Sequence, residues 1–478
     1  MRKTKIVCTI GPASSSPEMI AGLIKAGMNV ARLNFSHGNY EEHEARFKLI
    51  RSLADKADRT VGIMQDLSGP KIRIGRIERS PVILNAGDLF VFTTRKVVGD
   101  SRQVTLPFPE LVKRLKRGQL IYVDDAKLEF KVVKIEDGDI ITKVIVGGEL
   151  SSNKGFTVPG ANYDVPGVTE KDKADLRWGL EHGVDWVASS FVRSADDILP
   201  LRKVMREEGR RVPVIAKIER PEAVKNIAGV VEAYDGIMVA RGDLGIELPI
   251  DEVPTIQKHI IRLCNKAGKP VITATQMLDS MIFNPRPTRA EVTDVANAII
   301  DGTDATMLSG ETAAGQYPLQ SVQMMDRIAR KTEKSLDYRA MFERQSCAAP
   351  NRATTRCAQV TEAIGESAVN LAFDLCVPAI ITCTFSGTTA RLVSKFRPKA
   401  RIIAAASDHE SARRLTLSWG VSPLYVEMAK DTDELIRNAV EAACDYKAIK
   451  LGDTVLMIAG VPVGVAGSTS LIRVLKVE

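Results

Sequence analysis

The chain has 478 residues, 45% hydrophobic and 26% charged, with a formal net charge of +7. This is a globular composition with room for roughly two to four domains and a sizeable core. Aromatics are only 5% and no basic run interleaves with them, so nothing specific points to nucleic acid; a mild positive excess steers anionic small molecules instead. The seven cysteines are scattered, with no CxxC pair or Cys/His cluster. That argues against a disulfide framework or a zinc site and fits a reducing cytoplasm. The apolar part of the N-terminus is too short for a signal peptide and no stretch is long enough to span a bilayer, so a cytoplasmic location without membrane partners is expected.

In chain order, eight short apolar runs recur, at 5–11, 29–36, 61–67, 185–191, 212–219, 236–245, 270–278 and 304–311. Most intervals carry a helical pattern. One spans 17–27 and closes at Gly27; another opens at Thr288 with Glu291 three residues on, the spacing of a capping box. Buried strands alternating with helices predict a (β/α)8 barrel; a doubly wound open sheet is the alternative. The interval after Leu67-Ser68-Gly69-Pro70 is too long for one crossover. It holds short β-like runs at 82–84, 89–92, 120–123, 128–133 and 140–146 between turn signals. An all-β domain inserted over 70–166 is expected, leaving 1–69 and 167–340 as the barrel. Inserted at a strand-to-helix loop, it lies over the active-site face as a lid. Residues 347–355 read as a linker, and runs at 379–385, 401–406, 423–426, 454–459 and 471–477 predict a C-terminal open α/β domain over 350–478.

Barrel chemistry collects at the carboxyl ends of the strands. The fifth run ends in Lys217 and Glu219, two residues apart and so on one face. The second ends in Arg32, Asn34 and Ser36, the third in Asp66 and Leu67, the sixth in Arg241-Gly242-Asp243, the seventh in Thr275-Gln276 and the eighth in Glu311. Glu219 and Asp243 come from neighbouring strands and would repel if left alone. Arg32 and Lys217 would be costly to desolvate. A divalent ion between the acids, sharing an anion with the cations, removes both costs. Few oxygen ligands suit Mg2+ or Mn2+ with a phosphate, the set that phosphoryl transfer requires.

The segment 212–224 resembles the active-site signature of pyruvate kinases. Segments 32–38, 238–245, 274–278, 284–291 and 307–312 are similar to further motifs of that family in the same order, and the resemblance covers nearly the whole chain. It implies phosphoryl transfer from phosphoenolpyruvate to ADP. Lys217 would stabilise the migrating phosphoryl group and the enolate oxygen, while Glu219 and Asp243 hold Mg2+. The amides of Gly242 and Asp243, with the Thr275 hydroxyl, would receive the substrate carboxylate. Thr275 would also relay the proton to enolpyruvate, Arg32 would bridge the transferred group, and His37, Arg73 and the lid's Lys154 would contact nucleotide phosphates. Many members hold K+ at positions matching Asn34, Ser36, Asp66 and the Leu67 carbonyl. Those members carry a glutamate where this chain has Lys71, whose ammonium supplies the charge itself, so activity without K+ is expected.

Further along, Thr384, Ser386, Gly387, Thr388 and Thr389 follow a strand and open a helix. This is a phosphate cradle, similar to the family's site for a sugar-phosphate activator. Fructose 1,6-bisphosphate, glucose 6-phosphate, ribose 5-phosphate and AMP all stay open as its ligand. The family resemblance implies a homotetramer. Another Mg2+-enolate barrel enzyme and a non-catalytic metabolite sensor are the competing readings.

Overall fold

The computed structural model describes residues 2–160, 166–347, 356–427, 429–460 and 469–478. Strands Lys5–Thr9, Val30–Asn34, Gly62–Asp66, Trp186–Ser189, Val214–Ile218, Gly236–Ala240, Val271–Ala274 and Ala305–Leu308 close into a parallel eight-stranded barrel. All eight lie within the apolar runs, and the doubly wound alternative falls away. Strand alternation sorts their side chains. Val7, Val30, Met64, Trp186, Ile215 and Met238 fill the barrel, while Ile6, Ala31, Ile63, Val187, Val214 and Ile237 pack under the surrounding helices.

The local signals explain the helix ends. In Pro17–Ala26, Pro17 sits in the first turn, the Ser16 hydroxyl accepts the Met19 amide, and Gly27 closes the helix at φ +115. In Arg289–Asp301, Thr288 and Glu291 form the expected capping box.

After the third barrel strand the chain leaves the barrel at Gly69. This residue has φ +63, and a Cβ there would meet Ser190 and Phe191 at 2.9 Å, so glycine is required. The insertion is a six-stranded sheet in the order Phe156–Thr157, Leu120–Val123, Leu128–Glu136, Asp139–Val146, Leu89–Thr93, Gln103–Thr105. Val82–Leu84 pairs separately with Gly148–Leu150. Phe90, Phe92, Phe130 and Phe156 form its own core. Gln103–Thr105, Gly148–Leu150 and Phe156–Thr157 are missing from the sequence expectation: two or three residues display little period, and the equally short Val82–Leu84 stands out only as an unbroken apolar run.

The C-terminal sheet runs Val421–Tyr425, Arg401–Ala406, Ala379–Thr384, Thr454–Gly460 and then the antiparallel Thr469–Lys476. Its edge strand begins two residues before the expected run because Pro423, which cannot donate to a ladder, is tolerated at an edge. Helix Tyr338–Cys347 places Phe342 in the C-terminal core with Val369 and Phe396, so by packing it belongs with that domain. The expected linker lies outside the described residues beyond Cys347.

This domain also closes the amino-terminal end of the barrel. Leu417, fully buried, completes the interior cluster. Buried Asp185 accepts Arg51 at 2.7 Å and Arg413 at 2.8 Å. Arg397 pairs with Asp304 at 3.1 Å and stacks on Trp419.

Candidate active site

Lys217 leaves the end of the fifth barrel strand into an almost closed position. Its ammonium lies 2.8 Å from Glu219 Oε1, 3.4 Å from Asp66 Oδ1 and 2.8 Å from Ser190 Oγ. Burial opposes its charge, but Asp66 and Glu219 outweigh that and hold it above the usual lysine range. Arg32, one strand from Asp66, donates from Nε at 2.6 Å to Asp66 Oδ2 and from Nη1 at 2.8 Å to Thr9 Oγ1. Burial pushes Asp66 up, yet Lys217 and Arg32 overcome it and hold this carboxyl below its usual range. Two acids, Asp66 and Glu219, and two cations thus share one buried cluster, where the strand ends suggest Asp243 beside Glu219. Asp66, however, serves Arg32 and Lys217 directly.

Glu219 Oε2 accepts the Phe191 amide at 2.6 Å. Burial raises this carboxyl above its ordinary range; Lys217 pulls it back and the like charge of Asp243 adds to the rise. Asp243 lines the same cavity from the sixth strand, in the first turn of helix Arg241–Glu247. A carboxylate pair whose mutual repulsion raises one member is a fitting host for a divalent cation, and hard oxygen donors suit Mg2+ or Mn2+.

Thr275 stands at φ +68 and Gln276 at φ +54, a left-handed pair at the end of the seventh strand. A β-branched residue there is strained and needs outside support. Arg241 provides it, donating to the carbonyls of Ala274 at 3.3 Å and Thr275 at 2.8 Å while paired with Asp294 at 2.7 Å. The Thr275 hydroxyl accepts the Gly242 amide at 2.7 Å and donates to the Ala274 carbonyl at 2.6 Å. The Gly242 amide, expected free for a substrate carboxylate, is therefore held by Thr275 in this state.

From the lid hinge, Lys71 reaches Asp125 of the insertion at 3.3 Å and Asp243 of the barrel at 3.7 Å. It lines the same cavity as Asn34 and Ser36. The Asn34 side chain accepts the Ser36 amide at 3.1 Å and the Leu67 carbonyl accepts Ser190 Oγ at 2.7 Å, both without Lys71. His37 and Arg73 also line the cavity. Burial, then Arg73, Arg32 and Lys71, lower the His37 pKa, which keeps the ring neutral at pH 7. Lys154 pairs with Asp124 at 2.9 Å inside the lid and does not reach the cavity wall. The cavity is about 680 Å3 and gathers Arg32, Lys217, Glu219, Asp243 and Thr275 at one mouth.

With that geometry established, comparison with known proteins decides the family. The model for the pyruvate kinase barrel domain matches residues 1–322, and that for the pyruvate kinase alpha/beta domain matches 362–475. The chain belongs to the pyruvate kinase family. It is 49% identical over 476 residues to a pyruvate kinase of Geobacillus stearothermophilus and 47% identical over 477 residues to one of Sporosarcina psychrophila; each match covers 99% of this chain and 80% of the relative. A crystal structure of a pyruvate kinase from Cryptosporidium parvum superposes with a TM-score of 0.91 at 39% identity, covering 100% of this chain and 96% of the other. The barrel, the β insertion and the C-terminal α/β domain are consistent with the fold of the pyruvate kinase family.

Outside the barrel, the loop singled out in the C-terminal domain has a mixed character. Ser386 Oγ and Thr388 Oγ1 lie 2.9 Å apart, and Gly387 turns at φ +81. Arg391 donates to the Ser386 carbonyl at 3.1 Å. Thr384 is buried, and Thr389 turns away to Thr469 at 2.8 Å. Sequence reasoning passed over Ser190 and Arg391, and gave Arg241 no role. Arg241 and Ser190 stand where strands end, but nothing in a one-dimensional pattern shows that one grips a carbonyl from the next strand and the other an ammonium.

Proposed function

We propose that this pyruvate kinase family member transfers the phosphoryl group of phosphoenolpyruvate to ADP. The phosphorus–oxygen bond to the enol breaks, a bond to the ADP β-phosphate oxygen forms, and the enolpyruvate left behind takes a proton to become pyruvate. The observation that carries this reading is the buried Lys217 ammonium, held between Glu219 and Asp66 beside Arg32. Two fixed cations meet the charge that spreads over the transferring oxygens, in a site where water is scarce. Glu219 and Asp243 are the residues that would hold Mg2+ or Mn2+, which supplies positive charge to the phosphate when bound. Thr275, fixed in its strained turn by Arg241, relays the proton through water, since a hydroxyl is too weak an acid to supply it alone. Its release from Gly242 leaves that amide, with Asp243 N–H, for the substrate carboxylate. His37 and Arg73 at the mouth, and Lys154 once the lid turns, take nucleotide phosphates.

Lys71 bears on the monovalent ion. Lining one cavity with Asn34 and Ser36, its ammonium would supply the charge that K+ brings to the Asn34, Ser36, Asp66 and Leu67 set, so K+ would be superfluous there. The loop of Thr384, Ser386, Gly387, Thr388 and Thr389, with Arg391, takes a phosphorylated activator, in a cytoplasmic homotetramer that couples the sites. The deciding experiment follows pyruvate with a coupled dehydrogenase while the chain is given phosphoenolpyruvate, ADP and Mg2+. Absence of pyruvate at any Mg2+ concentration refutes the reading.

A further inference from the structure

A second cavity lies away from the barrel mouth. It has a volume of about 1150 Å3 and lies between the barrel and the C-terminal domain. One side is built from the end of helix Pro318–Glu333 and the start of Tyr338–Cys347; the other from residues 372–378 and the turn 398–400. It shares no residue with the barrel mouth or the Ser386 loop.

Its charges do not balance. Arg330, Lys334, Arg339 and Lys399 line it, against Glu333 and Asp337. Both acids are already engaged. Buried Glu333 accepts the amides of Lys3 at 2.8 Å and Thr4 at 2.7 Å, and Asp337 accepts the Ala340 amide at 3.0 Å. Arg330 pairs with Asp326, and Arg339 with Glu343 and Asp374. No carboxylate among the described residues pairs with Lys334 or Lys399. Both lysines are exposed on the wall of one cavity, and a dianion between them would be attracted to both.

The rest of the wall is apolar: Leu336, Ala372, Phe373, Val377, Pro378 and Pro398. The wall is also preformed. The Lys3 ammonium ties down the carbonyls of Pro398, Lys399 and Ala400 at 3.0, 2.9 and 3.0 Å and lies over the rings of Tyr338 and Trp419. A turn fixed in this way, carrying Pro398 on the wall, takes an apolar body at low entropic cost.

We infer that this cleft is a binding site for a small phosphomonoester with an apolar or aromatic body. The phosphate sits between Lys334 and Lys399, and the body lies on the wall of Phe373, Pro378 and Pro398. The site is independent of the phosphotransfer reading. A ligand in it touches both domains at once, through a turn that Lys3 fastens to the start of the barrel.

Cys376, an exposed free thiol on the cavity wall, reports occupancy. Its alkylation in the full chain is followed by peptide mass spectrometry with 1-naphthyl phosphate, 1-naphthoate or inorganic phosphate present. The expected result is saturable protection by 1-naphthyl phosphate, about tenfold at ten times Kd by mass action. Protection should be weaker with either fragment and lost in Lys334→Glu/Lys399→Glu, with pyruvate formation unchanged in that variant. The neutral pair Lys334→Gln/Lys399→Gln should give an intermediate loss, which guards against misfolding of the charge-reversed protein. No protection, or equal protection in the charge-reversed variant, overturns the site; protection as strong with inorganic phosphate or with naphthoate overturns the ligand class.

Discussion

Replacing Lys217 by Met removes the one ammonium that touches both acids of the cluster. Its Nζ lies 2.8 Å from Glu219 and 3.4 Å from Asp66, its side chain is only 12% exposed, and a water in its place would bring no charge. The chemical effect is the loss of a preorganised charge. A single neutral donor in such a position is worth about 10²–10³ in turnover, and a buried full charge more, so kcat should fall at least about 10³-fold. The structural effect is separate. Breaking a buried ion pair costs about 3–5 kcal/mol. Here Asp66 keeps Arg32, and Glu219, already raised by burial, can take up a proton. A carboxyl whose folded pKa is raised favours folding below its unfolded value, and that contribution fades as pH rises through the folded one. The variant should therefore be nearest the parent in stability below about pH 4 and lose ground above it. The assay pairs the coupled pyruvate rate with urea unfolding across pH. Mg2+ binding, read by calorimetry, should persist because Glu219 and Asp243 remain. A folded variant turning over within about tenfold of the parent refutes the argument, since the assigned charge would then contribute less than a single neutral donor.

Other residues give sharper separate tests. Rates in K+-free buffer should match those with KCl, whereas Lys71→Glu should acquire activation by K+; strong activation of the parent defeats the Lys71 reading. Arg241→Met should lower kcat by about 10²-fold through loss of the Thr275 turn, because small misplacements cost that much; an unchanged kcat means the turn stands without it. Leu417→Ala opens a hole at the closed end of the barrel and should cost about 2–5 kcal/mol in urea unfolding. Burial lowers Lys5, bonded to the Val421 carbonyl at 2.5 Å, to about 7. The unfolded chain therefore binds a proton that the folded chain does not between that value and the ordinary 10.5. Stability should rise with pH across this window, and Lys5→Met should flatten the rise; an unaltered slope excludes Lys5 as its source.

Local pattern was enough to reach the barrel and to set charged residues at its strand ends. Eight apolar runs separated by helical patterns admit few closed arrangements, and period-two alternation alone puts Lys217 and Glu219 on one face. It also fixed helix ends such as Pro17–Ala26, where proline, cap and glycine act within a few bonds of each other. Tertiary structure decided who meets whom. Asp66 faces Arg32 and Lys217, and Arg241 grips the turn at Thr275, because barrel closure sets the register between strands far apart in the chain. Three of the four shortest strands of the insertion have no pattern to read, and Lys71 found Asp125 and Asp243 only once the insertion folded over the mouth. Leu417 as the plug of the barrel, and the gathering of Lys334 and Lys399 at the interdomain cleft, depend on how two separately patterned cores dock. Local pattern follows from covalent spacing; pairing across domains follows from packing, which no stretch of sequence carries alone.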